Sequence, residues 1–159
     1  MYTNHTLIIN EIERSIKLHN WHFILSFLPK GSYLVGGYIR DIILRRVAEE
    51  IDIDIVVPFK AIEIGKIISE NIKAKFIILD QEREVARIIL NEISIDIANQ
   101  ISSTVEGDLS IRDFSINSIA YLLDEKCLFD PFNGLKDLES SLLRTQSETN
   151  LLNDPLRIL

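Results

Sequence analysis

Ser32-Tyr33-Leu34-Val35-Gly36-Gly37-Tyr38-Ile39-Arg40-Asp41 reads as a short strand that runs straight into a helix. Two glycines at the junction let the backbone approach a bound group closely. A helix that starts there presents unpaired N–H groups and a partial positive charge. Arg40, one turn in, adds a cation suited to phosphate, and Asp41 can orient that arginine or a water. A tight turn followed by a surface arginine is the structural alternative, and a glycine pair alone does not exclude it. Ten residues on, Ile51-Asp52-Ile53-Asp54-Ile55-Val56-Val57 alternates, with Ile51, Ile53 and Ile55 on one face and Asp52 and Asp54 on the other. Pro58 ends that strand.

Outward from these two stretches, an amphipathic helix is expected over 7–28, closed by Pro29-Lys30-Gly31. Further helices are expected over 38–47, 60–73, 112–121 and 135–143. Strands are expected over 32–35, 76–79, 85–90 and 93–98, with an edge strand or loop at 127–130. Near the end, Asp154 and Pro155 resemble the cap and first residue of a helix. Strand, helix, then several adjacent strands predicts an α/β (α+β) domain: a mixed sheet with helices packed on it.

The 159 residues suffice for one domain with a core, and 47% hydrophobic with 26% charged residues is an ordinary globular composition. No apolar run approaches the ~20 residues that span a bilayer, so no membrane partner is expected. The N-terminal residues lack the pattern of a secretory signal. One cysteine, Cys127, excludes an internal disulfide and a cysteine-rich zinc site, which fits a cytoplasmic setting. The net charge of −7 gives no broad attraction for a polyanion, so any nucleic-acid contact is expected to be local.

Residues i and i+2 of a strand share a face, so Asp52 and Asp54 stand side by side. Paired carboxylates repel unless a cation lies between them, and Mg²⁺ is the hard, oxygen-seeking cation that also binds substrate phosphates. Asp96, alternating with Ile95 and Ile97, can join them from a neighbouring strand, and such a trio suits in-line phosphoryl chemistry. The polar face of a half-covered sheet explains the same residues without chemistry. Arg112, Asp113 and Asn117 offer positive charge and ribose contacts, or form a capped helix start. Arg144, Asp154 and Arg157 supply charge from the C-terminal end, Arg157 reaching back to a phosphate or lying in solvent. His19 and His22 share a helix face without a third ligand and read as ordinary histidines. Asp80, Arg83 and Arg87 are explained by local ion pairs.

In this order the blocks resemble the catalytic head of class II tRNA nucleotidyltransferases, the CCA-adding enzymes, and of bacterial poly(A) polymerases. Tyr33 to Asp41 is similar to the family's glycine-glycine-x-x-arginine-aspartate block, and Asp52-Ile53-Asp54 to its metal-binding pair. The stretch from Asp108 to Asn117 resembles its arginine-aspartate-phenylalanine block. Asp130 to Leu138 and Asp154-Pro155-Leu156-Arg157 resemble two later blocks. The resemblance implies a nucleotidyltransferase head with a five-stranded mixed sheet over 1–143, and the start of a neck helix over 144–159, with body and tail domains absent. It implies that Gly36, Gly37, Arg40, Asp41, Arg112, Asp113, Asn117, Asp154 and Arg157 bind nucleotide. Asp52 and Asp54 would hold Mg²⁺, with Asp96 as a third catalytic carboxylate. The implied reaction is attack of a tRNA 3′ end on the α-phosphate of CTP or ATP. An A-adding or poly(A)-synthesising head, or a nucleotide-binding subunit without catalysis, are the alternatives. Two departures stand out: Ile111 replaces a common first arginine, and the connection at 100–107 is shorter than the loop many relatives carry there, which bears on the switch from CTP to ATP.

Overall fold

The computed structural model of the chain describes residues 4–19, 21–46 and 50–147. Helix α1 (His5–Leu18) buries Ile8, Ile12 and Ile16 along one stripe, and the Asn4 side chain caps it by accepting from the Leu7 amide at 3.3 Å. A single helix over 7–28 does not form. Helix α1 stops at His19, and His22–Phe27 winds as a separate 3₁₀ segment. The break turns Trp21 fully inward, edge-on to Tyr38 with ring centres 5.9 Å apart. Burying that indole outweighs continuing the helix.

The remaining elements are β1 (Tyr33–Val35), α2 (Gly37–Ile43), β2 (Ile51–Val57), α3 (Ala61–Ile72), β3 (Lys75–Asp80), β4 (Val85–Leu90), β5 (Ile93–Asn99), α4 (Val105–Ser110), β6 (Ala120–Leu122), β7 (Cys127–Phe129) and α5 (Gly134–Glu139). The strands form one sheet in the order β3-β4-β5-β2-β1-β6-β7. Among the described residues only β2 and β5 run parallel; the other neighbours are antiparallel. The class is the expected mixed α/β, but the sheet has seven strands rather than five.

The additional strands come from the segment after α4. No helix spans 112–121. A short 3₁₀ turn (Ser115–Asn117) leads into β6, whose Tyr121 and Leu122 pair with Leu34 and Tyr33. Phe114, Ile116 and Ile119 have near-helical spacing, but the Ser118 hydroxyl bonds the Phe114 carbonyl at 2.9 Å and the open edge of β1 takes the chain as a strand. Helix α4 was not foreseen, and Thr104 caps it. Helix α5 ends at Glu139, short of the expected 143.

The alternation in β2 divides the core. Leu34, Ile53, Ile55, Ile95 and Ile97 face α1, α2 and α3. Tyr33, Val35, Val56 and Ala120 pack on the other side with Leu109 of α4. Asp52 and Asp54 belong to this second face, which α4 covers only in part.

Two glycines are required by close approach. Gly36 sits at φ 81°, ψ −148°, and a Cβ there would run into the Asp54 carboxylate. A Cβ on Gly134 would strike the Ser115 carbonyl. The Asp130 carboxylate accepts from the amides of Gly134 and Leu135 at 2.7 and 3.0 Å, so the 130–138 block builds the corner that supports the 3₁₀ turn. Buried Asp137 accepts from the Ser115 hydroxyl at 2.6 Å and from Arg144 at 2.9 Å. Arg144 therefore ties the following segment to α5, and Thr145 forms a bridge with Phe114. Asp154, Arg157 and most of the expected neck helix lie outside the described residues.

Candidate active site

Strand register assembles a row of charge across the second face. Val35 of β1 stands opposite Asp54, Asp54 opposite Asp96 of β5, and Asp96 opposite Arg87 of β4. Directly opposed residues project from the same face about 5 Å apart, so two carboxylates and a guanidinium are neighbours. Arg87 grips Asp96 with both arms, Nε to Oδ1 at 2.6 Å and Nη2 to Oδ2 at 2.8 Å. Asp96, expected as a third carboxylate, is paired with Arg87 through both oxygens, each of which keeps a lone pair. Arg87 pairs with Asp96 across β4 and β5 and not with Asp80. Among the described residues no group of three or more His, Cys, Asp or Glu is placed to hold a metal. The candidate donor set is the Asp52–Asp54 pair.

Burial pushes the Asp54 carboxyl above its ordinary range, and the Asp96 and Asp52 carboxylates push it further, while Arg112 and Arg87 oppose the rise. An added cation would relieve that strain. Two oxygen donors without nitrogen or sulfur fit a hard divalent ion that keeps water and shares itself with phosphate. Arg112 is anchored to the buried Asp108 carboxylate at 3.8 Å, and Asp108 also accepts from the Ile101 amide at 3.0 Å. The sequence motif contains Asp108, but its role as anchor depends on the turn after β5.

The glycine corner is joined to a string of side chains. Arg40 binds Asp41 through Nε at 3.0 Å and Nη2 at 3.1 Å, and its Nη1 donates to the Asn117 Oδ1 at 2.8 Å. The Asn117 amide then donates to Asp113 at 3.1 Å, and Asp113 also accepts from the Phe114 amide at 2.7 Å. Four candidate residues from two distant segments thus form one network. The string fixes the Arg40 guanidinium plane and the orientation of the Asn117 amide.

A cleft of about 430 Å³ opens at this rim of the sheet. Gly37, Arg40, Asp41, Asp52 and Asp54 line one side, and Ser15, Leu18 and His19 at the end of α1 line another. A larger cavity of about 470 Å³ between α1 and α2 is mostly apolar and contains none of the candidate catalytic residues, several of which line the charged cleft. Arg87→Met is expected to lower stability by about 1 kcal/mol in urea unfolding, since the pair is partly exposed and bidentate. Loss of the opposing cation should also raise the Asp54 carboxyl further, measurable by NMR titration.

Residues 32–144 match the family model of the poly A polymerase head domain. The CC-adding tRNA nucleotidyltransferase of Synechocystis sp. is 41% identical over 137 residues, covering 86% of this chain and 33% of that protein. The A-adding tRNA nucleotidyltransferase of Deinococcus radiodurans is 36% identical over 129 residues, 81% of this chain and 29% of that one. A CCA-adding enzyme solved with CTP superimposes with a TM-score of 0.69 at 33% identity, covering 80% of this chain and 32% of the other. The chain spans about a third of the length of the curated relatives it matches.

Proposed function

Since the chain belongs to the poly A polymerase head domain family, we propose that it is the nucleotidyl-transferring head of a tRNA 3′-end maturation enzyme. It binds CTP or ATP in the cleft and presents the α-phosphate to a terminal RNA hydroxyl. The observation that carries this reading is the glycine corner at Gly36, seated against Asp54, with Arg40 held rigidly beside it.

A Mg²⁺ ion held by Asp52 and Asp54 would neutralise the transferring phosphoryl group and acidify the attacking hydroxyl. The chain's own residues do the rest. Gly36 and Gly37 keep the corner free of side chains so that the triphosphate reaches the backbone. Arg40, held by Asp41 and Asn117, meets a phosphate oxygen without first losing side-chain freedom, which is how a preorganised donor accelerates phosphoryl transfer. Arg112, steadied by Asp108, offsets the charge around Asp54. Asp113 orients Asn117 toward Arg40 and leaves the remaining amide capacity for a sugar hydroxyl. Asp154 and Arg157 are proposed to add nucleotide contacts from the C-terminal segment. The RNA contact is local, as the net charge of −7 requires.

CMP addition is favoured over AMP addition. The connection from β5 to α4 is a tight turn, with the Gln100 side chain donating to Ser102 at 2.7 Å and Ile101 fastened to Asp108. No extended loop lies there to reshape the site between nucleotides, and the Synechocystis relative is a CC-adding enzyme. Calorimetric titration of the 159-residue chain should show CTP and ATP binding that requires Mg²⁺, with similar weak affinities. Extension of a tRNA lacking its 3′ end should use labelled CTP in preference to ATP. Absence of metal-dependent nucleotide binding overturns the reading, and equal use of ATP overturns the preference.

A further inference from the structure

Under the second face of the sheet, α4 brings a buried carboxylate against β1. Asp108 is 4% exposed, and its Oδ1 accepts from the Ile101 amide at 3.0 Å. Its Oδ2 lies 3.8 Å from Arg112 Nη2, an ion pair longer than a hydrogen bond. The two side chains are unequally placed, since that of Arg112 is 25% exposed and that of Asp108 only 5%. Arg112 is therefore the member able to turn outward, and its charge already acts on Asp54. Tyr33 of β1 completes the group, fully buried in one cluster with Leu109 of α4. Burial and then the neighbouring Asp108 carboxylate hold its phenol above the ordinary range, and Arg112 opposes them. Yet the Tyr33 hydroxyl has no hydrogen-bond partner among the described residues. A buried O–H without a partner destabilises a fold, and this one stands beside a carboxylate with lone pairs to spare.

We propose that Tyr33 is a positioning residue whose hydroxyl takes over the Asp108 carboxylate when Arg112 turns to a nucleotide phosphate. This rests on the reading of the site as a nucleotide site, with Arg112 as one of its phosphate contacts. Arg112 cannot leave Asp108 without consequence, because removing one partner of a buried ion pair leaves the other charge uncompensated. A donor already beside the carboxylate offsets that penalty. The Tyr33 proton rotates about the C–O bond toward Asp108, and a charge-assisted hydrogen bond replaces the ion pair. The phenol keeps its proton, so no ionisation accompanies the exchange. The Ile101 amide stays on Asp108 throughout, which leaves the turn between β5 and α4 fastened in both arrangements. The hydroxyl that lacks a partner in the empty protein gains one in the nucleotide complex.

The test uses Tyr33→Phe, Arg112→Met and the double variant in the 159-residue chain. Urea unfolding is followed without nucleotide, and binding is measured by calorimetry with CTP and Mg²⁺. Without nucleotide, Tyr33→Phe should leave the unfolding midpoint unchanged or raise it, since it removes an unpartnered hydroxyl. With CTP it should weaken binding about tenfold, because Arg112 then leaves a buried carboxylate with no replacement donor. In the Arg112→Met background the sign of the stability effect reverses. Tyr33 already holds Asp108 there, so adding Tyr33→Phe should lower the midpoint. A hydroxyl with a purely structural role would lower the midpoint in both backgrounds and leave CTP affinity unchanged, and that result overturns the proposal. If the wild type binds CTP and Tyr33→Phe binds it equally well, the exchange is wrong and the nucleotide site stands without it. If the wild type binds no CTP, the reading of the site falls and the proposal falls with it.

Discussion

Asp54→Asn is expected to reduce nucleotidyl transfer by at least about a thousandfold while making the folded protein more stable at neutral pH. The first effect follows from the loss of one of the two carboxylates proposed to hold the metal. Metal stabilisation of a transferring phosphoryl group is worth several kcal/mol, and each ~1.4 kcal/mol is tenfold in rate. The second follows from the carboxyl's surroundings. Burial, then Asp96 and Asp52, raise Asp54 above the ordinary 3.8, against the opposing pull of Arg112 and Arg87. A raised carboxyl favours its protonated form in the fold. Its contribution to stability is present below 3.8 and is lost as pH rises through the folded value. At pH 7 the ionised group is therefore a cost, and asparagine removes it. Thermal melts should place the variant above wild type at pH 7, with the gap narrowing as the pH falls toward 3.8. A variant that loses activity and also melts lower at pH 7 would show that the carboxylate anchors the fold instead.

Gly36→Ala is the second large effect, and it should damage both fold and activity. The backbone at φ 81°, ψ −148° is open almost solely to glycine, and a side chain forced there costs about 1–3 kcal/mol. The new methyl group would also meet the Asp54 carboxylate, which cannot retreat because Asp96 stands opposite it across the sheet. The total should reach about 2–4 kcal/mol in urea unfolding. Transfer should fall about a hundredfold or more in the protein that remains folded, since displacement of a catalytic group by about 1 Å has that consequence. Gly37→Ala is the control. Its methyl would lie 3.3 Å from Arg40 Nη2, a side-chain tip that needs to give only a few tenths of an ångström while keeping its partners Asp41 and Asn117. It should leave stability nearly unchanged while weakening triphosphate binding. Equal destabilisation by both substitutions would contradict the special role of the first glycine.

The sequence made part of this site visible for clear physical reasons. Period-two alternation shows that Asp52 and Asp54 share a face whatever the rest of the chain does. Asp154 and Arg157 were drawn into the site by resemblance and remain proposals. The grouping of Arg40 and Asp41 with Asp113 and Asn117 also came from resemblance, because the bond from Arg40 to Asn117 joins segments 77 residues apart. Arg87 looked local because Asp80 and Arg83 are near it in sequence. Its true partner follows from the antiparallel register of β4 and β5, a tertiary choice that no local pattern encodes. Strand β6 was misread for the same kind of reason. Its apolar spacing suits a helix, and only the open edge of β1 makes it a strand. Helix α1 was legible in its first three turns and not at its end, where a single buried indole overrides amphipathic periodicity.

The lone parallel pairing sets a clock on synthesis. When β2 leaves the ribosome, its partner β5 is still about 40 residues from being made, and at ~5–20 residues per second that is a delay of some seconds. During that interval β1 already holds one edge of β2, and α3 and the β3–β4 hairpin can form from neighbouring residues, but the edge of β2 that β5 will take stays open. The nascent chain therefore carries an unpaired strand edge for longer than any local element needs to fold. Slow codons between β2 and β5 would lengthen that exposure, whereas rapid translation there would shorten it and favour soluble yield.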